Sequence, residues 1–355
     1  MGQFILRRVG VMLLTAFCLT FVVFFMTNLY PNLEKLAKTE GNFRMSDEAV
    51  TSYLTKTGYL EPLPVKYGQW LGVLPGFVHT DEDGTKSGQC YDQAQVVGGG
   101  AADADREVAN FCGVLQGNWG FSSVFKESVN DILSKRLALT GKLALAAFGV
   151  MIPLALILGI LAGMKEGSRT DRSLSTFAIT TSATPEYVSG VIFIAVLASG
   201  AGWKIFKGSA TSAMDDATFA NFTLPVMTIA LYGVGYIARM TRASMAEVMT
   251  AQYIRTARLK GVSFGKIVMK HALRNALIAP FTVIMLQFPY LLTGVVITET
   301  LFNYKGFGWV LVQAASNNDI DLLLGCSVVA VFVVLVTQLI SDIGYVFLNP
   351  RIRIS

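Results

Sequence analysis

Five stretches of this chain run for twenty residues or more without an Asp, Glu, Lys or Arg: 9–33, 143–164, 217–238, 275–298 and 322–341. A sixth, 173–198, is interrupted only by Glu186. A helix rises 1.5 Å per residue, so about 20 apolar residues cross a hydrocarbon core about 30 Å thick. Few other features constrain a fold as strongly, because a chain that enters lipid must satisfy its backbone polar groups internally. The reading is an all-α membrane protein with six transmembrane helices. Composition agrees. Only 15% of the 355 residues are charged, against roughly 25% in soluble domains, and the mean hydropathy is +0.51.

Lys and Arg between the spans set the orientation. With both termini in the cytoplasm, the inner side receives Arg7 and Arg8, then Lys165, Arg169 and Arg172, then the eight Lys and Arg from Arg239 to Arg274, then Arg351 and Arg353. The short outer loops hold only Lys204, Lys207 and Lys305. The chain then divides into a first transmembrane helix (1–29), a large outer segment between helices 1 and 2 (30–138), a core of helices 2–6 (139–348) and an inner tail (349–355). The first apolar stretch is too long for a signal-peptide core and lacks a small-residue cleavage site, so it reads as a retained span. Cys18 and Cys326 fall within spans and read as packing residues. Cys90 and Cys112 fall in the outer segment, where an oxidising compartment favours a disulfide; free thiols are the alternative.

The outer segment carries local signals of its own. Ser46 followed by Asp47 and Glu48 predicts a capped helix with Val50, Tyr53 and Leu54 inward and Gly58 at its end. "LEPLPVKYGQWL" (60–71) predicts an extended entry into a short helix. The Gly- and Asp-rich text of 75–104 reads as a loop insertion.

Residues 253–274 hold seven basic side chains (Arg255, Arg258, Lys260, Lys266, Lys270, His271 and Arg274) and no acid. Placed on a helix, Ile254, Ala257, Arg258 and Gly261 follow the i, i+3, i+4, i+7 spacing of one face. Small residues on that face let a partner approach the backbone. The residues alone leave two readings open: a cytoplasmic docking helix, or an interfacial helix drawn to anionic lipid.

The stretch "YIRTARLKGVS…HALRNAL" resembles the EAA loop of permease subunits in binding-protein-dependent ABC importers, in the oligopeptide/dipeptide branch. The motif's Glu-Ala-Ala aligns with Arg255, Thr256 and Ala257, and its Gly with Gly261. "MGQFILRRVGVMLLT", "GNWGFS", "ATPEYVSGVIF", "TETLFNYKGFGWVLVQAASNNDI" and "LISDIGYVFLNPRIR" resemble other segments of that branch in the same order. The chain departs from it at Asn349, in "YPNLEKL" and in the Gly-rich insertion. The resemblance implies a coupling helix between spans 4 and 5, with Arg255, Thr256, Ala257, Arg258, Gly261, His271 and Asn275 as ATPase-coupling residues. It implies a second permease subunit, two ATPase subunits and a periplasmic binding protein as partners in a bacterial inner membrane. ATP and Mg would be bound by the ATPases, because this chain has no G-x-x-x-x-G-K-[ST]. Short peptides are the expected cargo; oligosaccharides, glutathione, nickel chelates or haem are alternatives.

Glu186 follows Pro185 about 20 Å into the third span if the helix is straight. An intramembrane carboxylate faces a cavity or a partner, so Glu186 is either a pathway-lining group or a buried, bonded carboxylate. The resemblance, to a family whose pathways run along the fifth span, implies Phe288 and Tyr290 as further pathway-lining candidates with Pro185 and Glu299; plain packing is the alternative. For Glu299 and Asp342 a structural ion pair is the expectation, with Arg351 or Arg353 as the partner of Asp342. The only histidines, His79 and His271, are too few for a metal site. No nucleophile elbow appears, and the basic stretch lacks the interleaved aromatics of nucleic-acid binding. The rivals outside this class are a stand-alone channel or secondary transporter and, more distantly, a membrane enzyme.

Overall fold

The computed structural model describes residues 2–80, 86–88, 90 and 110–348, with the side chains of 2–5, 40, 86–87, 289–294 and 345–348 outside the description. The Gly-rich run and the 349–355 tail therefore lie outside the described residues. The helices are α1 (Gly2–Thr27), α2 (Tyr30–Glu40), α3 (Asp47–Lys56), α4 (Leu63–Leu71), α5 (Val129–Met164), α6 (Arg169–Ala183), α7 (Glu186–Phe193), α8 (Phe219–Thr250), α9 (Gln252–Leu259), α10 (Phe264–Ala276), α11 (Ile278–Leu301), α12 (Phe307–Asn317) and α13 (Ile320–Leu348). Two two-residue strands, β1 (His79–Thr80) and β2 (Lys86–Ser87), are the only sheet among the described residues.

Four helices are long and apolar enough to cross a membrane alone: Leu6–Thr27, Val129–Met164, Phe219–Thr250 and the Ile320–Gly344 part of α13. Two further spans arise only if a bent pair counts as one. The α6–α7 pair, extended by a π turn to Ala198, bends by 102°, and the α10–α11 pair by 50°. The straight third span used to place Glu186 is thus wrong. A proline disfavours helical backbone at the residue before it, and Thr184 adopts the extended φ −83°, ψ 122°. Pro185 serves as the N-cap of a new helix that starts at Glu186.

The second break has a related cause. Pro280 lacks the N–H that would bond the carbonyl four residues back, at Ala276. Ser244 on α8 supplies the missing donor: its hydroxyl lies 2.8 Å from the Ala276 carbonyl oxygen.

The chain divides into two compact units. The first comprises 1–9, 138–309 and 333–355. Its main core gathers Leu143, Met151, Leu224, Ile229, Ile237, Phe302 and Tyr304. Glycines let its helices close on one another: a Cβ at Gly159 would meet the Ala238 carbonyl oxygen at 2.6 Å, and one at Gly163 that of Arg242 at 2.6 Å. At the second unit's centre (10–137 and 310–332), Phe24, Leu33, Leu36, Val50, Leu54 and Tyr67 pack with Ile320 and Leu324. Ser46 caps α3, accepting from the Ala49 N–H at 3.3 Å, and Gly58 at φ 77° follows that helix. Tyr67 is ringed by Phe17, Phe21, Phe24 and Trp70 with centroids 5.2–5.8 Å away. In the same unit Asp319 accepts from the Ser122 hydroxyl at 2.5 Å and the Val124 N–H at 3.2 Å, fastening the "GNWGFS" loop to the start of α13. Cys90 and Cys112 are joined as a disulfide, 22 residues apart.

Candidate functional site

The basic loop forms α9, one extended residue after α8: Ala251 (φ −63°, ψ 148°) is at once the C-cap of α8 and the N-cap of α9. Of the face read from the sequence, Ile254 and Ala257 turn inward, whereas Arg258 and Gly261 are exposed. Ile254 is fully buried and Ala257 is 8% exposed, packed with Met245, Met249, Ile267, Val268 and Ala272. Ala257 lies within this buried cluster, so its side chain is not an open landing surface. Gly261 is not on that face either. It follows the helix at φ 74°, its N–H bonded to the Arg258 carbonyl at 2.9 Å while the Val262 N–H bonds Ala257 at 3.2 Å. This pair of bonds is a Schellman termination, and its left-handed position favours glycine. The exposed surface of the loop holds Arg255, Thr256, Arg258, Lys260, His271 and Asn275, with Leu259 82% exposed among them. The Thr256 hydroxyl bonds back to the Gln252 carbonyl at 3.1 Å. The Asn275 amide donates to the Tyr253 hydroxyl at 3.0 Å, holding α10 to α9.

Two carboxylates lie at the far end of α11. Glu186 is buried and accepts from the Thr298 hydroxyl. Glu299, the next residue, is fully buried and accepts from the Thr140 hydroxyl and, at 2.9 Å, from the Trp309 N–H. Thr140 also accepts from the Phe307 N–H at 2.8 Å. Successive helical residues point about 100° apart, so Thr298 and Glu299 pin α11 to two elements, α7 and α5. The ion pair expected for Glu299 is replaced by hydroxyl and backbone donors, which satisfy a buried carboxylate without burying a cation. Its bonds order the 299–309 segment, in which the Tyr304 hydroxyl donates to the Leu139 carbonyl at 3.0 Å. Burial, with the Glu299 carboxylate adding to it, pushes the Tyr304 phenol up to about 12. Phe288 is half-buried with its ring 4.4 Å from that of Phe148. Tyr290 belongs to α11, but its side chain lies outside the described ones. Asp342 pairs with Arg8 at 3.3 Å; Arg351 and Arg353, its expected partners, lie outside the described residues.

The sequence reading missed one cluster. Asp171, 3% exposed, receives a two-pronged contact from Arg242, Nε to Oδ1 at 3.0 Å and one terminal nitrogen to Oδ2 at 2.8 Å. The Gly167 N–H at 2.8 Å and the Ser175 hydroxyl at 3.0 Å complete its shell. Glu166 also approaches Arg242 at 3.5 Å. A signal was available, since Ser168 three residues ahead of Asp171 is a capping pattern, and the Ser168 oxygen does accept from the Asp171 N–H at 3.1 Å. No group of three or more His, Cys, Asp or Glu able to hold a metal occurs among the described residues.

Residues 155–354 match the profile of the family described as the binding-protein-dependent transport system inner membrane component. The chain belongs to that family. It is thus a transport subunit of the ABC permease class and a multi-pass membrane protein. A probable peptide ABC transporter permease of Sinorhizobium fredii is 29% identical over 99% of this chain and all of its own length. A putative peptide transport system permease of Brucella abortus is 33% identical over 66% of this chain and 75% of its own. The oligopeptide transport system permease OppB of Haemophilus influenzae is 32% identical over 67% of this chain and 76% of its own. Among solved structures, an amino acid ABC transporter with histidines superposes with a TM-score of 0.45 at 14% identity, over 61% of this chain and 94% of that one.

Proposed function

We propose that this permease subunit forms part of the inner-membrane pathway of an ATP-driven importer for short peptides. The observation that carries the cargo is the likeness, over 99% of the chain, to a relative named as a peptide permease. The orientation has both termini in the cytoplasm, with 30–138 in the periplasm. The partners are a second permease subunit, two ATPase subunits that bind ATP and Mg, and a periplasmic binding protein that delivers the cargo. The chain itself has no catalytic residues in this reading.

Arg255, Thr256, Arg258, His271 and Asn275 meet the ATPase from the exposed side of the basic loop. Ala257 acts from within, tying α9 to α8, and Gly261 sets where α9 ends. Pro185, Glu186, Phe288, Tyr290 and Glu299 are assigned to the pathway or its frame. The 102° bend supports this for Glu186, because a helix that starts beside a buried carboxylate leaves backbone N–H groups available there. A stand-alone channel or secondary transporter would leave the basic loop without a role.

The test is affinity capture of the chain from its native membrane, followed by mass spectrometry and by ATP-dependent uptake in proteoliposomes. Co-capture of ATPases, a second permease and a peptide-loaded binding protein is expected. Capture of the chain alone, with uptake persisting without ATP, would overturn the importer reading. A binding protein loaded with another compound would replace peptide as the cargo.

A further inference from the structure

Both bent spans are fastened to the same short stretch of α8. Arg242 reaches Asp171 near the start of α6, which leads into the first bend and Glu186. Two residues on, Ser244 donates to the Ala276 carbonyl at the second break. The same stretch is gripped at close range by α5, through Gly159 against the Ala238 carbonyl and Gly163 against the Arg242 carbonyl. Eight residues later α8 ends at Thr250, and a single extended residue joins it to α9. Met245 and Met249 of α8 share one buried cluster with Ile254 and Ala257 of α9 and with Ile267, Val268, Ala272 and Ala276 of α10. A push on α9 therefore moves the end of α8 as one body, since close-packed interiors transmit displacement.

We infer that the Arg242–Asp171 fork and the Ser244–Ala276 bond form a transmission joint. Through the fork, movement of α9 reaches the first bent span, while the Ser244–Ala276 bond adds to the direct packing of α9 on α10 in carrying it to the second. Arg242, Asp171 and Ser244 are positioning residues, which act through the elements they hold. The inference rests on the importer reading. It adds to that reading residues which touch neither ATPase nor cargo. A planar guanidinium bonded at two points resists rotation as well as separation. That is what a joint needs and a simple surface ion pair lacks.

The experiment uses the whole complex in proteoliposomes, with second permease, ATPases and cargo-loaded binding protein. ATP hydrolysis and cargo uptake are both counted per assembled complex. Asp171→Asn is expected to keep ATP hydrolysis close to the wild-type rate. Uptake should fall about ten-fold, a size typical of coupling between sites, so the ATP used per cargo rises by that factor. Ser244→Ala should move the ratio the same way by less. Where Asp171→Asn assembles poorly, Arg242→Lys, which keeps the charge and loses the fork, is read in the same way. Hydrolysis and uptake falling in step, or uptake left unchanged, would overturn the joint. Failure of the wild-type complex to take up cargo with ATP would instead overturn the importer reading.

Discussion

Lys66 sits in α4 with 8% of its surface exposed, its ammonium donating to the Tyr59 carbonyl at 2.8 Å and lying 5.3 Å from the Tyr59 ring centre. Burial pushes its pKa down from 10.5 to about 8. At neutral pH the ammonium is charged in both folded and unfolded chains, so the folded state carries the desolvation penalty. At 1.36 kcal/mol per unit of pKa, that penalty is about 3 kcal/mol. The sign follows from proton counting. Between pH 8 and 10.5 the unfolded chain binds more protons than the folded one, so stability rises with pH across that window. The penalty is complete below pH 8, and about 2 kcal/mol of it is relieved by pH 9.5. Lys66→Met removes the titration and leaves the Tyr59 carbonyl short of a donor, at a cost of about 1–3 kcal/mol. The two variants should therefore be similar in stability at pH 7 and diverge in slope above pH 8. The assay is thermal unfolding of the full-length chain in detergent, followed by tryptophan fluorescence, at pH 7 and 9.5. The wild type should gain about 3 °C relative to Lys66→Met across that interval. Parallel pH profiles for the two proteins would refute the argument, since every other titrating group is common to both.

Two further outcomes follow from geometry. A Cβ at Gly306 would strike the Glu299 carboxylate, so Gly306→Ala should displace it from Thr140 and Trp309 and lower the detergent melting temperature by an amount equivalent to about 3 kcal/mol; an unchanged melting curve would mean the carboxylate is not the anchor. At Gly261, where a Cβ meets nothing within 4 Å, only the left-handed backbone resists substitution, at about 1–2 kcal/mol for an ordinary residue. Asn tolerates that conformation, so Gly261→Asn should retain far more cargo uptake than Gly261→Val, and equal loss in both would show that the glycine is needed for partner approach instead.

The apolar windows were legible because crossing lipid requires only length and the absence of charge, both of which survive ignorance of tertiary contacts. Ser46 was legible because a cap is local. Ala257 was half legible: the spacing identified the face, but a small residue suits a buried seam as well as an open landing surface, and only neighbours distant in sequence decide between them. Pro185 was seen, yet a proline can kink a span or end it, and the 102° outcome depends on what the two arms pack against. Asp171 and Arg242 are 71 residues apart, and no local pattern pairs them before the fold brings them together. Glu299 was expected to find a cation and found hydroxyl and amide donors, a choice set by which helix lies opposite.

The core of the second unit is completed by residues far along the chain from the rest of it. Ile320 and Leu324 lie in one core with Phe24, Leu33 and Leu54, and the Asn318 amide donates to the Asn32 carbonyl across 286 residues of sequence. A ribosome therefore delivers α1 to α4 long before their core can be completed. In the interval the apolar side chains of α2, α3 and α4 wait for their last partners, the kind of transient exposure that invites chaperone capture or misassembly.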